Sequence, residues 1–183
     1  KFFDFPGFVR STKNIEGKYS NYIRMICYCH ELIADPEDRP SYEKLKRFLI
    51  DKSAMLDPTQ IYSCLVIMSR FCSYQNLNYF NRYIKESFRI YDIILREKYF
   101  LLDANSMQLS FCRNLVTICK SLKEFEYIRN FISDYSKFFH DEYREGFLNF
   151  CNAILKFAGK DYEAALEHAI LVDIDKPVFK KDV

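Results

Sequence analysis

The chain has 183 residues, of which 49% are hydrophobic, and its 27 basic and 25 acidic side chains leave a formal net charge of +2. This hydrophobic content excludes a disordered chain, and the low net charge excludes a global field that would by itself select nucleic acid or anionic lipid. Only 4 Gly and 5 Pro interrupt the sequence, which favours long helices over a many-turned β architecture. We therefore expect one mostly helical domain that meets any charged partner through a local patch.

The cysteines indicate the compartment. There are seven of them, an odd number, and many lie on apolar helical positions, which is typical of reduced core residues and not of a disulfide framework. The longest apolar runs are far shorter than the roughly 20 residues that a membrane-spanning helix needs. These features predict a soluble protein of the reducing cytoplasm with no membrane partner.

The predicted helices follow an irregular start. Residues 1–17 combine four phenylalanines with Pro and Gly, so we expect this segment to dock on the fold without forming a regular helix. A first helix is predicted over about residues 18–33, and the Asp/Pro-rich turn at residues 35–40 ends it. Ser41 then caps a second predicted helix, which ends near Asp51.

The third and fourth helices are predicted from a capping signal and an apolar pattern. Asp57 and Pro58 form a good helix start, with Asp as the N-cap and Pro at the first helical position. The third helix should therefore cover about residues 58–73. The fourth is predicted over about residues 77–99.

Four more helices follow without a Ser/Gly-rich linker, so residues 18–174 are interpreted as one helical-repeat domain. Asp141 is expected to act as an N-cap, and Gly159 and Lys160 to form the last turn. We interpret residues 175–183 as the run-in to a further, missing helix. The fifth helix is predicted from residue 103 or 105 to about 121, and the sixth over residues 123–138. The seventh is predicted to begin at about residue 141, and the eighth to cover residues 161–172.

Three of these helices repeat the same apolar spacing. Positions i, i+3, i+4 and i+7 form one stripe along an α-helix, and each occurrence opens a pair of helices. A second set, spaced i, i+3, i+7 and i+10, follows after the turn and begins at Leu77, Phe125 and Tyr162. Recurring helix pairs predict an all-α solenoid of about four antiparallel helix pairs. The three quartets are Ile61, Cys64, Leu65 and Met68; Cys112, Leu115, Val116 and Cys119; and Phe150, Ala153, Ile154 and Phe157.

The turn of the last pair resembles a known family. Residues 158–166 read Ala-Gly-Lys-Asp-Tyr-Glu-Ala-Ala-Leu, similar to the turn and second-helix opening of a tetratricopeptide repeat, where a small residue three places after an aromatic lets two helices approach closely. This resemblance covers about residues 58–172. More loosely, the order of segments over residues 42–183 is similar to that of poorly characterised bacterial helical-repeat proteins. The resemblance implies a right-handed α-α superhelix that binds proteins or peptides.

The resemblance also implies a binding groove. The first helix of each pair lines the concave side in such proteins, so the candidates lie one helical face away from the buried quartets. They predict a polar, basic centre with apolar flanks, which suits an extended segment carrying an acidic residue and bulky side chains. Alternatively, Leu148 and Leu155 pack on a neighbouring helix, and an uncapped end permits self-association. The candidates are Thr59, Tyr62, Val66, Ser110, Arg113, Thr117, Lys120, Leu148, Cys151 and Leu155.

A basic stripe on the predicted fourth helix supports an alternative hypothesis. It consists of four cations spaced +3, +4 and +7, namely Arg82, Lys85, Arg89 and Arg96. Such stripes contact phosphates, and the neighbouring Tyr79, Tyr83 and Tyr91 are of a type that stacks on bases. Acidic residues interrupt the stripe, however, and a solvated helix surface is the commoner origin of this pattern. A nucleic-acid-binding adaptor is therefore the alternative function.

No residue set predicts catalysis. Cys27, Cys29 and His30 are of zinc-ligand type, but side chains so close on one helix point in different directions, so we expect Cys29 to fill the core and His30 to lie on the surface. Cys151 and His168 are the one nucleophile and base that adjacent helices offer, and packing explains both. We predict no metal, no cofactor and no enzyme activity; catalysis is the third hypothesis and needs residues outside this sequence.

Overall fold

The structure is a computed structural model of the chain. Within the part of the chain that it describes, the fold is all-helical, with eight α-helices and no strand beyond an isolated bridge between Met107 and Phe139. The all-α prediction is confirmed. The chain separates into two compact units, Lys1–Tyr99 and Phe100–Val183. The described residues are 4, 7, 11, 12, 17, 19–79, 81–102 and 106–172.

The ends of the chain fall largely outside these residues. The run-in predicted at residues 175–183 lies wholly outside them, as does most of the N-terminal segment over residues 1–17. The docked start, the single repeat domain and the missing final helix therefore stay predictions. None of the helices in the described ranges is long and apolar enough to cross a membrane.

The first unit contains two pairs of helices. The first helix packs against the second and third, and the third also packs against the second and fourth. The first helices of the two consecutive pairs are therefore in contact. The four helices are α1 (Ser20–Ala34), α2 (Arg39–Lys52), α3 (Pro58–Asn78) and α4 (Ile84–Arg96), with a short 3₁₀ turn at Ser53–Met55.

Aromatic packing joins α2 and α3 in the core of this unit. The ring of Tyr42 stacks on that of Phe71 with centroids 4.4 Å apart, and the ring of Tyr83 meets both edge-on. Such pairs add about 0.5–1.5 kcal/mol beyond the area that they bury. Leu45 and Cys72, both fully buried, fill the space beside them.

Capping side chains decide where α2 and α3 begin. The Asp57 carboxylate accepts the N–H of Gln60 at 3.0 Å while the Gln60 side chain accepts the N–H of Asp57 at 3.1 Å, so the predicted start of α3 is confirmed. For α2, the predicted Ser41 cap is wrong. Asp38 is the N-cap and accepts the N–H of Ser41 at 3.0 Å, which places Ser41 inside the helix.

The boundary between α3 and α4 lies later than the apolar pattern predicted. α3 continues to Asn78 instead of ending near Ser73, and α4 begins only at Ile84. Leu77 was predicted to open the apolar set of the fourth helix, but it lies in α3 and is 86% exposed. Phe80, the next member of that set, lies outside the described residues.

A polar turn causes this shift. Asn81 adopts φ = 60°, a left-handed conformation that Asn tolerates better than most residues, and it reverses the chain. The side chain of Asn76 then holds the turn, because its Oδ1 accepts the N–H of Tyr83 at 2.7 Å and its Nδ2 donates to the Ser87 hydroxyl at 3.0 Å. These contacts satisfy the backbone at the start of α4 without a side-chain N-cap.

The helices of the second unit make the same pairwise contacts as those of the first. Its first helix packs against the second and third, and the third also packs against the second and fourth. The four helices are α5 (Leu109–Leu122), α6 (Phe125–Tyr135), α7 (Asp141–Ala158) and α8 (Tyr162–Ile170), with short 3₁₀ segments at Ser136–Phe138 and, at the junction of the units, Tyr99–Leu101.

Short turns close both pairs of this unit. Lys123 ends α5 in a left-handed conformation with φ = 62°, so α6 begins two residues later than predicted. Between α7 and α8 the predicted turn at Gly159 and Lys160 is confirmed, and Asp161 caps α8 by accepting the N–H of Ala164 at 3.3 Å.

The start of α7 was predicted correctly, but its cap was not. α7 begins at Asp141, and the N-cap is His140, whose Nδ1 accepts the N–H of Glu142 at 3.3 Å. Asp141 lies in the first turn instead, where its negative charge interacts favourably with the helix dipole. Its carboxylate lies 2.5 Å from the Arg144 guanidinium.

The buried face of α7 differs from the predicted stripe. All four members of the α5 quartet at residues 112–119 are fully buried, as predicted. On α7, however, the buried residues are Phe147 and Cys151, while Phe157 is 66% exposed. The ring of Phe147 packs edge-on against those of Phe131 and Phe139, which fixes the rotation of α7. Because α7 also packs against α5 and α8, its apolar residues are spread over several faces.

Candidate partner-binding face

The outer side of α5 carries a polar stripe. Ser110, Thr117 and Lys120 are exposed and Arg113 is half-buried. Their spacing of i, i+3, i+7 and i+10 places all four on one side of the helix. Arg113 and Lys120 are two turns apart, which is about 10 Å along the axis. This side of α5 therefore offers two separated cations among small hydroxyl side chains.

α7, which packs against α5, carries apolar candidates of its own. Leu148 and Leu155 are half-buried, so each packs on the fold with part of its side chain and leaves the rest accessible. Cys151 was predicted to line the groove, but it is fully buried, because it lies one turn after Phe147 on the core side of α7. We name the remaining set the α5–α7 face: Ser110, Arg113, Thr117, Lys120, Leu148 and Leu155.

The candidates on α3 belong to the other unit. Thr59 is exposed, whereas Tyr62 and Val66 are half-buried, and their spacing places them along one side of the helix. The Thr59 hydroxyl donates a hydrogen bond to the Asp57 carboxylate, so it takes part in the N-cap of α3. These three residues therefore lie along one side of α3 in the first unit, whereas the α5 and α7 candidates belong to the second unit.

The basic stripe consists of one turn residue and three residues of α4. Arg82 lies in the turn before the helix, and Lys85, Arg89 and Arg96 are exposed on it. Ion pairs neutralise part of this charge: a guanidinium nitrogen of Arg89 lies 3.6 Å from the Glu86 carboxylate, and Nε of Arg96 lies 3.0 Å from that of Asp92.

The tyrosines near the stripe are mostly committed to the core. Tyr91 is buried, and Tyr83 packs against Tyr42 and Phe71. Tyr79 alone of the three predicted stacking residues is largely exposed. Nucleic-acid binding without sequence preference relies on bases that stack on aromatic rings. Of these three rings, only that of Tyr79 would be accessible for such stacking.

A charged cluster in the first unit is a structural element that the sequence did not reveal. Glu86 of α4 accepts a hydrogen bond from the Tyr42 hydroxyl at 2.9 Å and lies 2.7 Å from Nζ of Lys46, with its side chain only 15% exposed. Burial opposes ionisation, but the hydrogen bonds from Lys46 and Tyr42 and the charges of Lys46 and Arg89 outweigh it and lower the pKa of Glu86. Each group has a partner, so the cluster fastens α4 to α2.

No disulfide joins the cysteines of the described residues in either unit. Burial raises the pKa of Cys72 to about 11 and the pKa values of Cys112 and Cys119 to about 12, so these thiols stay protonated and unreactive at neutral pH. Cys29 differs. It was predicted to fill the core, but it is only half-buried, and its Sγ lies 3.7 Å from that of Cys64.

Cys151 and His168 are the residue pair that the sequence offered for catalysis. Burial raises the pKa of Cys151, and Nδ1 of His168 lies 3.0 Å from Oδ1 of Asn149, which gives the imidazole a polar partner other than a thiol. Across the described ranges, no three His, Cys, Asp or Glu side chains gather in a way that could hold a metal ion.

An apolar face is exposed on α8. Tyr162, Leu166 and Ile170 lie four residues apart on one side of the helix and are 59%, 62% and 73% exposed. The ring of Phe157 meets that of Tyr162 edge-on with centroids 5.4 Å apart. Self-association through such a surface stays a prediction.

Comparisons of the chain with protein-family models, with curated proteins and with solved structures give no match. The resemblance to tetratricopeptide repeats therefore rests on the residues of the last turn and on the pairing of the helices.

Proposed function

We propose that this protein is a helical-repeat scaffold without catalytic activity, which binds a protein or peptide in the cytoplasm through the α5–α7 face. The observation that supports the proposal is the packing within each unit, where α1 contacts α3 and α5 contacts α7. Stacked pairs with their first helices in contact are what a tetratricopeptide-like, right-handed superhelix requires. The accessible side chains of such first helices are then presented on a rigid support.

Recognition would divide between charge and apolar burial. Lys120 is exposed and Arg113 is half-buried, so both can pair with carboxylates of an extended segment and fix its register. Leu148 and Leu155 would bury bulky aliphatic or aromatic side chains of the same segment. Because all four residues lie on packed helices, little backbone conformational entropy is lost on binding.

Charge reversal tests this proposal. Replacing Arg113 and Lys120 by Glu should abolish capture of protein partners from nuclease-treated lysate, read by mass spectrometry. The matched control is Lys44→Glu with Arg47→Glu, which makes the same charge change at exposed positions of α2. Circular dichroism establishes that both variants fold, and Lys120→Glu alone provides a milder variant at a fully exposed position. Equal capture by the face variant and the control would contradict the proposal.

Nucleic-acid binding is the alternative function, and the exposed Arg82, Lys85 and Arg89 favour it. Replacing these three residues by Ala should then weaken binding to RNA or DNA and reduce the slope of log K against log salt by up to about 3. This alternative would be ruled out if the variant bound RNA or DNA as well as the unsubstituted chain does, or if nuclease treatment removed none of the captured partners.

A further inference from the structure

Two thiols of the first unit lie within contact distance although they belong to different helix pairs. Sγ of Cys29 on α1 is 3.7 Å from Sγ of Cys64 on α3, and 35 residues separate them in the chain. Both cysteines are free. Because a disulfide bond is about 2.05 Å long, the two sulfurs need to approach by less than ~2 Å, which is within reach of side-chain rotation and small helix shifts.

The two thiols differ in access and in acidity. Cys29 is half-buried and keeps part of its surface exposed, whereas Cys64 is fully buried. The hydrogen bond from Cys64 lowers the pKa of Cys29 against the opposing effect of burial, and the same contact, together with burial, raises the pKa of Cys64. The thiolate is the nucleophilic form, so Cys29 is the attacking group and Cys64 the group that follows.

We propose that Cys29 and Cys64 form a redox-sensitive dithiol that closes to a disulfide when it meets a low-molecular-weight disulfide. The Cys29 thiolate attacks one sulfur of that reagent, forms a mixed disulfide and releases one thiolate. Cys64 then gives its proton to the thiolate just released and attacks Sγ of Cys29, which expels the second thiolate. The two cysteines lose two electrons and two protons, and the reagent is reduced to two thiols.

The bond would tie together the first helices of two consecutive pairs, since α1 and α3 pack against each other. It would close the chain between residues 29 and 64 into a loop and so restrict the unfolded ensemble. Oxidation should therefore raise the midpoint of thermal unfolding by about 5 °C or more. The α5–α7 face lies in the other unit, so this inference is independent of the proposed function.

The test is equilibration of the chain with oxidised glutathione, followed by an acid quench, alkylation of the unfolded chain at neutral pH and peptide mapping. We expect a peptide pair joined through Cys29 and Cys64, with the loss of two hydrogens, and full recovery of both thiols in dithiothreitol. Cys29→Ser should leave Cys64 unmodified, and Cys64→Ser should stop at a glutathione adduct on Cys29. Cys112→Ser, a buried position of the second unit, should behave as the unsubstituted chain.

Two results would overturn the proposal. One is a stable glutathione adduct on Cys29 of the unsubstituted chain, which would mean that Cys64 cannot reach it. The other is that Cys29 and Cys64 remain thiols while a model dithiol in the same buffer is oxidised. Peptide mapping of the unsubstituted chain decides the question even if the Cys64 variant does not fold.

Discussion

Replacing Tyr42 by Phe removes one hydroxyl from the buried cluster of the first unit and keeps the ring that stacks on Phe71. The hydroxyl donates to the Glu86 carboxylate at 2.9 Å, and Tyr42 is only 1% exposed. Hydrogen bonds to charged groups contribute about 1.5–3 kcal/mol to stability. A largely buried carboxylate that loses a donor also destabilises the folded state, because its desolvation is no longer compensated. We therefore expect Tyr42→Phe to lower the free energy of unfolding by about 2 kcal/mol.

Tyr74→Phe is the matched control for this experiment. The Tyr74 hydroxyl donates to the Glu37 carboxylate at the same distance, 2.9 Å, but that pair is exposed to solvent. Water replaces the lost donor there, so we expect no measurable change in stability.

Urea denaturation at pH 7, followed by circular dichroism, measures both effects. With a slope of about 2 kcal/mol per molar urea, the Tyr42 variant should unfold at a urea concentration lower by about 1 M. Because the pKa of Glu86 is lowered in the folded state, its charge stabilises the fold above the usual carboxyl range, and this contribution is lost as the pH falls through the folded pKa. The difference between the unsubstituted chain and Tyr42→Phe should therefore shrink in acid. Equal shifts for the two tyrosine variants at pH 7 would refute the reasoning.

Two further predictions concern helix ends and helix rotation. Asp38→Ala removes the N-cap of α2 and should lower the free energy of unfolding by about 1 kcal/mol in chemical denaturation, whereas Asp38→Asn should keep most of the stability. Equal losses would mean that the capping hydrogen bond is not what stabilises this helix start. Phe147→Ala should cost about 3–5 kcal/mol, since the ring is fully buried, while Phe157→Ala should stay within about 0.5 kcal/mol. A larger loss of thermal stability for Phe157→Ala than for Phe147→Ala would show that α7 is rotated toward the stripe predicted from the sequence.

The helix starts that the sequence predicted well are those with a local cause. Asp57 satisfies the first N–H groups of α3 with its own side chain, so the residues around it determine the start. Asp161 does the same for α8. The late end of α3 was missed because the turn depends on Asn76, which reaches seven residues along the chain to Tyr83.

The exposure of the candidate residues was predictable on a helix that has one buried side and one polar side. On α5, the four buried quartet residues and the polar stripe lie on opposite sides, so spacing alone located both. On α7, Phe147 packs against aromatic rings of two other segments, and this tertiary contact sets the rotation that moved Cys151 into the core. The Cys29–Cys64 pair was missed because only the packing of α1 on α3 brings the thiols together.

Hydrogen–deuterium exchange of the purified complex with its captured protein partner tests the central proposal most directly. The account predicts slower amide exchange in α5 and α7, centred on the turns that carry Lys120 and Leu148, and unchanged exchange in α4. Slower exchange confined to α4 and its basic residues, or unchanged exchange in both α5 and α7, would contradict a protein-binding scaffold that uses the α5–α7 face.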